Sequence, residues 1–320
     1  MRVLVTGGAG FIGSHAVDSL LARGHEVLVV DDLSTGKREN VPAGAELAQL
    51  DIAGPELVAA ARAFRPDAVS HFAAQASVAV SMKQPQADAT TNILGGLNVL
   101  QAALESGSRQ LVYITTGGAL YGTPEYLPCD EEHPIRPESP YGLSKWTLEQ
   151  YLTMLAPPSL PLKVLRLANI YGPRQDPHGE AGVVAIFAGR MARDEPVVIF
   201  GDGEQTRDFV YVGDVVHAHD LALAHPDSFA VNISTSQGTS VNELFGLMAA
   251  ATGYRQPAVH ELERAGDLKH STLANERARR VLGWAPETPL AEGLRQTIES
   301  VRSGALTPDP SPGARERGGG

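Results

Sequence analysis

The sequence predicts an α/β protein built on a doubly wound parallel sheet, followed by a second, smaller α/β lobe. Two observations lead to this prediction. Over the first half of the chain, short apolar runs alternate with helix-like stretches, which is the pattern of parallel strands joined by crossover helices. After about Tyr171 the pattern changes to shorter segments rich in glycine, proline and charge. The predicted strands are residues 3–6, 26–31, 47–50, 68–72, 111–115 and 164–169.

The order of these elements divides the chain. We expect a first domain at residues 1–171 and a second lobe at 172–305, with part of 208–235 packing back on the first domain. Residues 306–320 have almost no apolar content, so burial cannot offset the entropy lost on ordering, and a disordered tail is predicted. The predicted helices are residues 14–22, 85–106, 141–155 and 291–301.

Composition excludes some classes of function. The chain has 320 residues, 43% hydrophobic content and a formal net charge of -11 at pH 7, so most of its surface repels nucleic acid. No apolar run approaches the roughly 20 residues of a membrane span. Cys129 is the single cysteine, which excludes an internal disulfide. We expect a cytoplasmic protein that binds neither nucleic acid nor membrane.

A glycine-rich segment follows the first predicted strand. Gly7, Gly10 and Gly13 precede the first helix, where glycine lets the backbone approach a pyrophosphate at the positive end of the helix. The second strand ends in Asp31 and Asp32, where an acid binds both ribose hydroxyls and disfavours a 2′-phosphate. A plain glycine turn is the alternative; a Walker loop is excluded because no Gly-Lys-Ser/Thr follows. The context predicts a Rossmann-type site for NAD rather than NADP.

Tyr141 and Lys145 open the predicted helix 141–155. Their i,i+4 spacing places both side chains on one face. A tyrosine with a pKa of about 10 is a poor base near neutrality, but an adjacent ammonium stabilises its phenolate. Such a pair also occurs by chance on solvated helices. Its position after the fifth strand of a dinucleotide fold favours a catalytic pair.

Hydroxyl side chains mark the end of the fifth predicted strand. Thr115 and Thr116 stand at the carboxyl end of the sheet, where ligands of open α/β sheets bind. The alternative is ordinary turn chemistry, in which threonine and glycine are also common. We predict Thr116 as the hydrogen-bond partner of a reacting alcohol, with Thr115 as the second choice.

Taken together, these motifs resemble the extended short-chain dehydrogenases, and among them the branch that epimerises nucleotide sugars at C4. The resemblance covers essentially residues 1–300. It is carried by residues 6–13, 31, 51–52, 71–74, 92, 115–116, 121–122, 141 with 145, 169–174, 201–212, 264–267 and 282–286.

The resemblance implies a cofactor, NAD, and a substrate, a UDP-sugar gripped in part by arginines, whose planar forks suit phosphate oxygens. It implies that NAD is held by Gly7, Gly10, Phe11, Ile12, Gly13, Asp31, Asp32, Ser34, Thr35, Gly36, Asp51, Ile52, Phe72, Ala73, Ala74, Gln75, Asn92, Thr115, Tyr141, Lys145 and Leu167. It implies that the sugar nucleotide is held in the second lobe and at the sheet edge by Thr116, Tyr141, Asn169, Val183, Val198, Phe200, Arg207, Arg264, Asp267 and Ser271.

The implied activity interconverts UDP-glucose and UDP-galactose. Tyr141 would take the proton from the sugar 4-hydroxyl while C4 passes hydride to NAD, Lys145 would hold the phenolate and the ribose, and Thr116 would bond the oxygen. The 4-keto sugar would then turn over and receive the hydride on its opposite face, so NAD is regenerated and no metal is required. Members of the family also form homodimers, which here would join helices 85–106 and 141–155.

Two departures from the family pattern affect these roles. Many members carry Ser or Thr four residues before the Tyr-Gly at 121–122, whereas this chain has Gly117, so the hydroxyl role is reassigned to Thr116. Related 4,6-dehydratases and decarboxylases carry an acidic residue where Gly117 and Gly118 stand, because elimination needs an additional acid and base. Ser271 replaces a bulky tyrosine of some members, which predicts that UDP-N-acetylhexosamines are also accepted.

The same residues are compatible with other interpretations. A UDP-glucuronate epimerase or decarboxylase, or a 4,6-dehydratase, would use the same tyrosine and lysine, and an NAD-binding sensor would use the fold without chemistry. His217 and His219 form a His-x-His within a predicted helix, where i,i+2 side chains diverge, so no metal site is predicted. Cys129 has no paired histidine in its sequence context and is interpreted as incidental.

Overall fold

A computed structural model describes residues 1–177, 182–263 and 268–304. Arg264 and Asp267, predicted to contact the substrate, and the predicted tail at 306–320 lie outside the described residues. Among the described residues, no helix is long and apolar enough to cross a membrane.

Seven parallel strands form the central sheet, in the order β11-β6-β5-β4-β1-β2-β3. The shorter strands form three smaller sheets, β10-β7, β12-β9-β14 and β13-β8. The strands are β1 Arg2–Thr6, β2 Glu26–Asp31, β3 Glu46–Gln49, β4 Ala68–His71, β5 Leu111–Thr116, β6 Leu162–Leu167, β7 Asn169–Tyr171, β8 Val198–Phe200, β9 Thr206–Arg207, β10 Phe209–Tyr211, β11 Phe229–Ile233, β12 Thr239–Ser240, β13 Val259–Glu261 and β14 His270–Ser271.

Helices connect these strands and cover both faces of the large sheet. A short 3₁₀ turn at Arg38–Asn40 and a π-helical segment at Thr90–Gly95 interrupt the regular pattern. The α-helices are α1 Phe11–Ala22, α2 Glu56–Phe64, α3 Val78–Lys83, α4 Pro85–Ala89, α5 Gly96–Glu105, α6 Pro140–Leu155, α7 Val183–Ala192, α8 Val212–Ala224, α9 Val241–Thr252, α10 Glu276–Leu282 and α11 Leu290–Arg302.

The sheet has an apolar core on each face, because parallel strands covered by helices on both sides are apolar throughout. On one face, alternate residues of β1 such as Val3 and Val5 pack under α1 and α8. On the other, Leu4 of the same strand joins residues of α2, α5 and α6. The predicted α/β class with a doubly wound parallel sheet is confirmed.

The second lobe has its own core, formed chiefly by α7, α9 and α11 with Tyr171 and Phe209. The chain nevertheless returns to the large sheet within this half. Helix α8 packs against α1, strand β11 pairs with β6, and Trp284 after α10 is fully buried in the core of the first face. Part of the second half of the sequence therefore completes the core on one face of the large sheet.

Two predicted elements differ from the structure. The helix predicted at 85–106 is divided into α4, the π-helical segment and α5, because the backbone accommodates an extra residue around Asn92. The strand predicted at 164–169 is two strands, and β7 leaves the large sheet to pair with β10. This exit carries Asn169 away from the sheet and towards the second lobe.

Candidate active site

The glycine-rich turn joins β1 to α1 and brings the loop close to the helix. Gly7 has a φ of +71°, in the left-handed region that favours glycine. A Cβ on Gly13 would lie 2.2 Å from the Gly7 carbonyl oxygen, so no side chain fits there. Gly10 caps α1 in an extended conformation without a side-chain cap bond. The positive end of α1 is thus open to a phosphate group, and the residues present fit a dinucleotide pyrophosphate.

Asp31 ends β2 beside this turn. Its Oδ2 accepts a hydrogen bond from Ala9 N and its Oδ1 accepts one from Leu33 N, both at 2.9 Å. Burial raises the pKa of the Asp31 carboxyl, although these two backbone bonds oppose the shift. A Cβ on Gly36 would lie 2.6 Å from Asp31 Oδ1, so glycine lets the following loop close over the carboxylate.

The remaining residues predicted to lie near adenosine occupy two adjoining loops. Strands β2 and β3 are paired, so the loops that follow them meet at one edge. Asp32, Ser34 and Thr35 are exposed in the first loop, where Asp32 Oδ1 accepts from Ser34 N at 2.9 Å and Ser34 Oγ at 2.6 Å. In the second loop Asp51 is exposed and Ile52 is buried. Their predicted contacts with the cofactor remain a proposal.

The segment after β4 lies against the glycine turn. The amides of Phe72 and Ala73 both donate to the Thr6 carbonyl, at 3.0 and 3.1 Å. A Cβ on Gly7 would lie 2.5 Å from Ala73 N, so the two segments are in close contact. Phe72, Ala73 and Ala74 are half-buried beside the turn.

Asn92 connects this segment to the helix that carries Tyr141. Its Oδ1 accepts from Gln75 N at 2.9 Å, and its Nδ2 donates to Gln75 O at 2.9 Å. The same Nδ2 lies 3.0 Å from Asp88 Oδ1 and 3.1 Å from Ser144 Oγ. Asn92 is buried in the π-helical segment, a distortion that often occurs at functional sites. Gln75 and Asn92 thus form one network at the floor of the cleft.

The structure brings Thr116, rather than Thr115, to Tyr141. The two residues are adjacent on β5 and face opposite sides of the strand. The Thr116 side chain lies near the Tyr141 hydroxyl, whereas Thr115 is buried alongside Tyr113. Burial raises the pKa of Tyr141 to about 12, and the nearby Thr116 hydroxyl opposes this rise. The phenol is therefore neutral around pH 7 without a further positive charge.

Lys145 is buried one helical turn beyond Tyr141. Its Nζ donates to the Ile114 carbonyl at 2.9 Å and lies 4.6 Å from the centre of the Tyr113 ring. Burial lowers the pKa of Lys145 to about 7, and the carboxylates of Asp88 and Glu149 act against this change. The ammonium thus faces the sheet and not the solvent, and its hydrogen bond goes to the backbone instead of to Tyr141.

Substrate residues predicted from separate segments meet above the end of β5. Asn169 begins β7, and Ser271 on β14 is in register with Arg207 on β9. A Cβ on Gly118 would lie 3.8 Å from Ser271 Oγ, 3.9 Å from Asn169 Oδ1 and 3.9 Å from Thr116 Oγ1. Gly118 therefore stands within van der Waals range of these side chains. Arg207 Nη1 donates to the Thr206 carbonyl at 2.9 Å.

The other predicted contacts are more peripheral. Val183 begins α7 and packs against the core of the second lobe. Val198 and Phe200 are the first and last residues of β8, and Phe200 lines a small cavity with Gly201 and Leu268. Leu167, predicted near the cofactor, is 4% exposed and packs in the sheet core.

A buried polar network behind α6, the helix that carries Tyr141 and Lys145, was not predicted from the sequence. Arg166 on β6 donates to both carboxylate oxygens of Glu149 on α6, at 3.2 and 2.5 Å. Arg166 Nη1 also donates to the Tyr121 hydroxyl at 3.1 Å, and that hydroxyl donates to Asn232 Oδ1 at 2.9 Å. The spacing of Lys145 and Glu149, one helical turn apart, was the only sequence signal for this network.

The histidine pair and the cysteine, to which the sequence assigns no function, have defined surroundings. His219 is fully buried on α8, and its Nε2 lies 2.8 Å from Ser70 Oγ. Within the described ranges, no group of three His, Cys, Asp or Glu side chains could hold a metal ion. Cys129 is buried, and burial raises the pKa of its thiol to about 11.

The structure combines a parallel sheet, an open helix end beside an acid suited to a ribose, and a tyrosine, threonine and lysine at the carboxyl edge of the sheet. These features define a class of enzyme that exchanges hydride between a dinucleotide and an alcohol. The chain belongs to the NAD dependent epimerase/dehydratase family, whose model matches residues 3–234. The protein is therefore an NAD-dependent epimerase, an enzyme of the isomerase class.

Similar proteins align with almost the whole length of this chain. The UDP-glucose 4-epimerase of Mycolicibacterium smegmatis is 44% identical over 310 residues, 95% of this chain and 99% of that protein. A crystal structure of UDP-glucose 4-epimerase with UDP-glucose from Thermotoga maritima has a TM-score of 0.93 and 48% identity, covering 95% of this chain and 99% of that one. The UDP-glucose 4-epimerase of Thermus thermophilus in complex with NAD has a TM-score of 0.89 and 47% identity, with coverages of 94% and 99%.

Proposed function

We propose that this protein interconverts UDP-glucose and UDP-galactose by inverting C4 of the sugar through a 4-keto intermediate. The observation that carries the proposal is the position of Tyr141 beside the Thr116 side chain, at the end of β5 where Gly118, Asn169 and Ser271 also meet. The similarity to an epimerase that binds UDP-glucose supports the choice of substrate.

The side chains have separate roles in a reversible oxidation of the sugar. Tyr141 removes the proton of the 4-hydroxyl, and Thr116 holds the same oxygen by a hydrogen bond. NAD, when bound, supplies a cationic ring that takes up hydride from C4 and returns it. Because burial keeps the pKa of Tyr141 at about 12, the phenolate needs positive charge nearby. Lys145 provides part of that charge from beneath the site, and C4 of the rotated ketone is reduced on its other face.

The fold provides positions for the cofactor and for the nucleotide. The open end of α1 and the Asp31 carboxylate are suited to the pyrophosphate and the adenosine ribose of NAD. Arg207 lies beside Ser271 across paired strands and is suited to a phosphate of the UDP group. Arg264 and Asp267, outside the described residues, are proposed as further contacts.

Elimination chemistry fits this site less well. A dehydratase or decarboxylase needs an additional acid near the hydroxyl at the end of β5. A Cβ on Gly117 would lie 2.3 Å from Leu273 Cδ1, so an acidic side chain at 117 would displace a buried leucine. Gly118 has the space but no functional group. The site therefore favours epimerisation.

The test is incubation of the purified protein with UDP-glucose, UDP-galactose and UDP-glucuronate, without added NAD, followed by product identification by NMR. We expect epimerisation of the hexoses, and a loss of about 10²–10⁴-fold in rate in Tyr141→Phe. Formation of a 4-keto-6-deoxy sugar or of a pentose would overturn the proposed reaction. Bound NAD that no UDP-sugar ever reduces would indicate a sensor.

We further propose that UDP-N-acetylhexosamines are substrates. Ser271 and Gly118 are small residues that lie close together at the end of β5, so they leave the adjacent space to the sugar. The variant Ser271→Tyr would fill this space, so we expect its kcat/KM for UDP-N-acetylglucosamine to fall by about tenfold or more while UDP-glucose activity is retained. Unchanged N-acetyl activity in the variant would contradict the pocket assignment.

We also propose a homodimer. Helix α6 exposes apolar side chains along one face: Leu143 is 55% exposed, Tyr151 43% and Met154 79%. Leu94 in the neighbouring π-helical segment is 58% exposed. Contiguous exposed apolar side chains mark interaction surfaces, and a second copy presenting the same helices would cover them.

A further inference from the structure

Asp88 is a buried carboxylate beside the reacting pair. It lies on the short helix α4, is 1% exposed, and packs in the space between α4, the π-helical segment and α6. No cation among the described residues lies within ion-pair distance of it, in contrast to Glu149, which Arg166 neutralises. Burial of an unpaired charge is costly, so such a group is uncommon outside functional sites.

Only one oxygen of this carboxylate is satisfied. Asp88 Oδ1 accepts from Gln75 Nε2 at 2.8 Å and from Asn92 Nδ2 at 3.0 Å. Oδ2 is buried without a hydrogen-bond partner. The same Asn92 amide reaches Ser144, which lies between Tyr141 and Lys145 on α6. A negative charge is thus held by amides on one side and left uncompensated on the other, next to the catalytic helix.

We propose that Asp88 is a positioning residue for the epimerase reaction: its buried charge keeps the Lys145 ammonium protonated, and its hydrogen bonds fix Gln75 and Asn92 against the catalytic helix. The inference deepens the proposed function, on which it rests. It assigns to α4 a part in the chemistry that no motif of the sequence predicted.

The electrostatic surroundings of Lys145 support this assignment. Among the described residues, the groups that act on it are Asp88 from α4, Glu149 from α6, His71 from β4 and Tyr113 from β5. Burial lowers the pKa of Lys145, and Asp88 is the strongest influence acting in the opposite direction. Asp88 also raises the pKa of Tyr141, to a smaller extent than burial does. Removal of the Asp88 charge is therefore expected to lower the pKa of both Lys145 and Tyr141.

The chain is well suited to a direct measurement, since it has only five lysines, at positions 37, 83, 145, 163 and 269. In the NAD-loaded protein labelled with ¹³C at lysine Cε, the signal lost in Lys145→Arg identifies Lys145. We expect Asp88→Asn, which keeps the acceptor oxygen, to lower the pKa of Lys145 by about one unit. Lys163 is the internal control. It lies at the start of β6, burial lowers its pKa to about 8, and Asp88→Asn should leave that pKa unchanged.

Activity gives the second measurement. We expect the pH profile of kcat to move to lower pH in Asp88→Asn, whereas Ser144→Ala, which breaks a neutral bond of the same network, lowers kcat without moving the profile. If Asp88→Asn does not fold, Asp88→Ser removes the same charge and is measured instead. An unchanged pKa of Lys145 would overturn the proposal, whatever the activity. If the wild type has no epimerase activity while Asp88→Asn still lowers the pKa of Lys145, the proposed function is overturned instead.

Discussion

At the scale of single residues, His71 illustrates the effect of burial beneath the site. Its Nδ1 lies 2.7 Å from Thr6 Oγ1, and its ring stacks on Tyr113 with centroids 5.6 Å apart. Burial lowers the pKa of His71 to about 3, and the Lys145 ammonium adds to the effect. The imidazole is thus neutral in the folded protein at every pH at which the enzyme would work.

This neutral histidine predicts the acid sensitivity of the fold. Because its pKa is about 3 when folded and 6.5 in its ordinary state, the unfolded chain binds the extra proton between these values. The free energy of unfolding therefore falls as pH decreases through this window, by roughly 2–3 kcal/mol between pH 6.5 and pH 4.5 for this group. Urea unfolding at the two pH values measures it.

The matched comparison uses two asparagine substitutions. His71→Asn should remove most of this pH dependence, whereas His260→Asn, at an exposed position in the second lobe, should leave it unchanged. Equal pH dependence in wild type and His71→Asn would mean that the imidazole is not held neutral by the fold.

The site residues that belong to recognisable motifs could be predicted from the sequence. Tyr141, Lys145 and Thr116 were predicted, and the structure brings Thr116 and Tyr141 together, because strand alternation turns Thr115 to the other face. Asp88 was not predicted, and Gly118 was predicted only as a position without an acidic side chain. Their surroundings depend on contacts with α6 and β14, which no local pattern encodes.

At the scale of elements, helix α6 is held to the sheet by a buried ion pair. The side chains of Arg166 and Glu149 are 6% and 4% exposed, and Tyr121 completes the guanidinium shell. Since Lys145 is one turn away on the same helix, this pair fixes the helix that carries Tyr141 and Lys145. Its contribution to stability depends on both charges being present.

We expect Glu149→Leu to lower the free energy of unfolding by about 3–5 kcal/mol, because it leaves the Arg166 guanidinium buried without a counter-charge. The double variant Glu149→Leu with Arg166→Met should recover much of that loss. Urea denaturation of the three proteins measures both effects, and Arg295→Ala on the exposed face of α11 serves as a control without a measurable change. A double variant as unstable as the single one would refute the explanation.

Element boundaries were predicted unevenly. The apolar strands and helix α6 were recognised, since both leave local signals in the sequence. The division of 85–106 was not, because a π-helical turn is stabilised by the bonds of Asn92 to Gln75 and Ser144 and not by any sequence propensity. Strand β11 was also missed, since it joins the sheet only by pairing with β6.

At the scale of the whole molecule, the exposed apolar face of α6 predicts the assembly state. Light scattering at micromolar concentration should show a dimer for the wild type. Met154→Asp should produce a monomer, because a carboxylate would be buried without a partner in the contact. Leu262→Asp, at a side chain 91% exposed in the second lobe, is the control and should remain dimeric. A monomeric wild type would remove the proposed contact.

The return of β11 and α8 to the large sheet has a consequence for dissecting the protein. A fragment ending at residue 171 would leave β6 as an unprotected edge strand and would strip α8 from the apolar side chains of Val5 and Ile114. Open edges of this kind recruit other chains. The amino-terminal half, although it carries both sequence motifs, is thus expected to aggregate when expressed by itself, and variants are better made in the intact polypeptide.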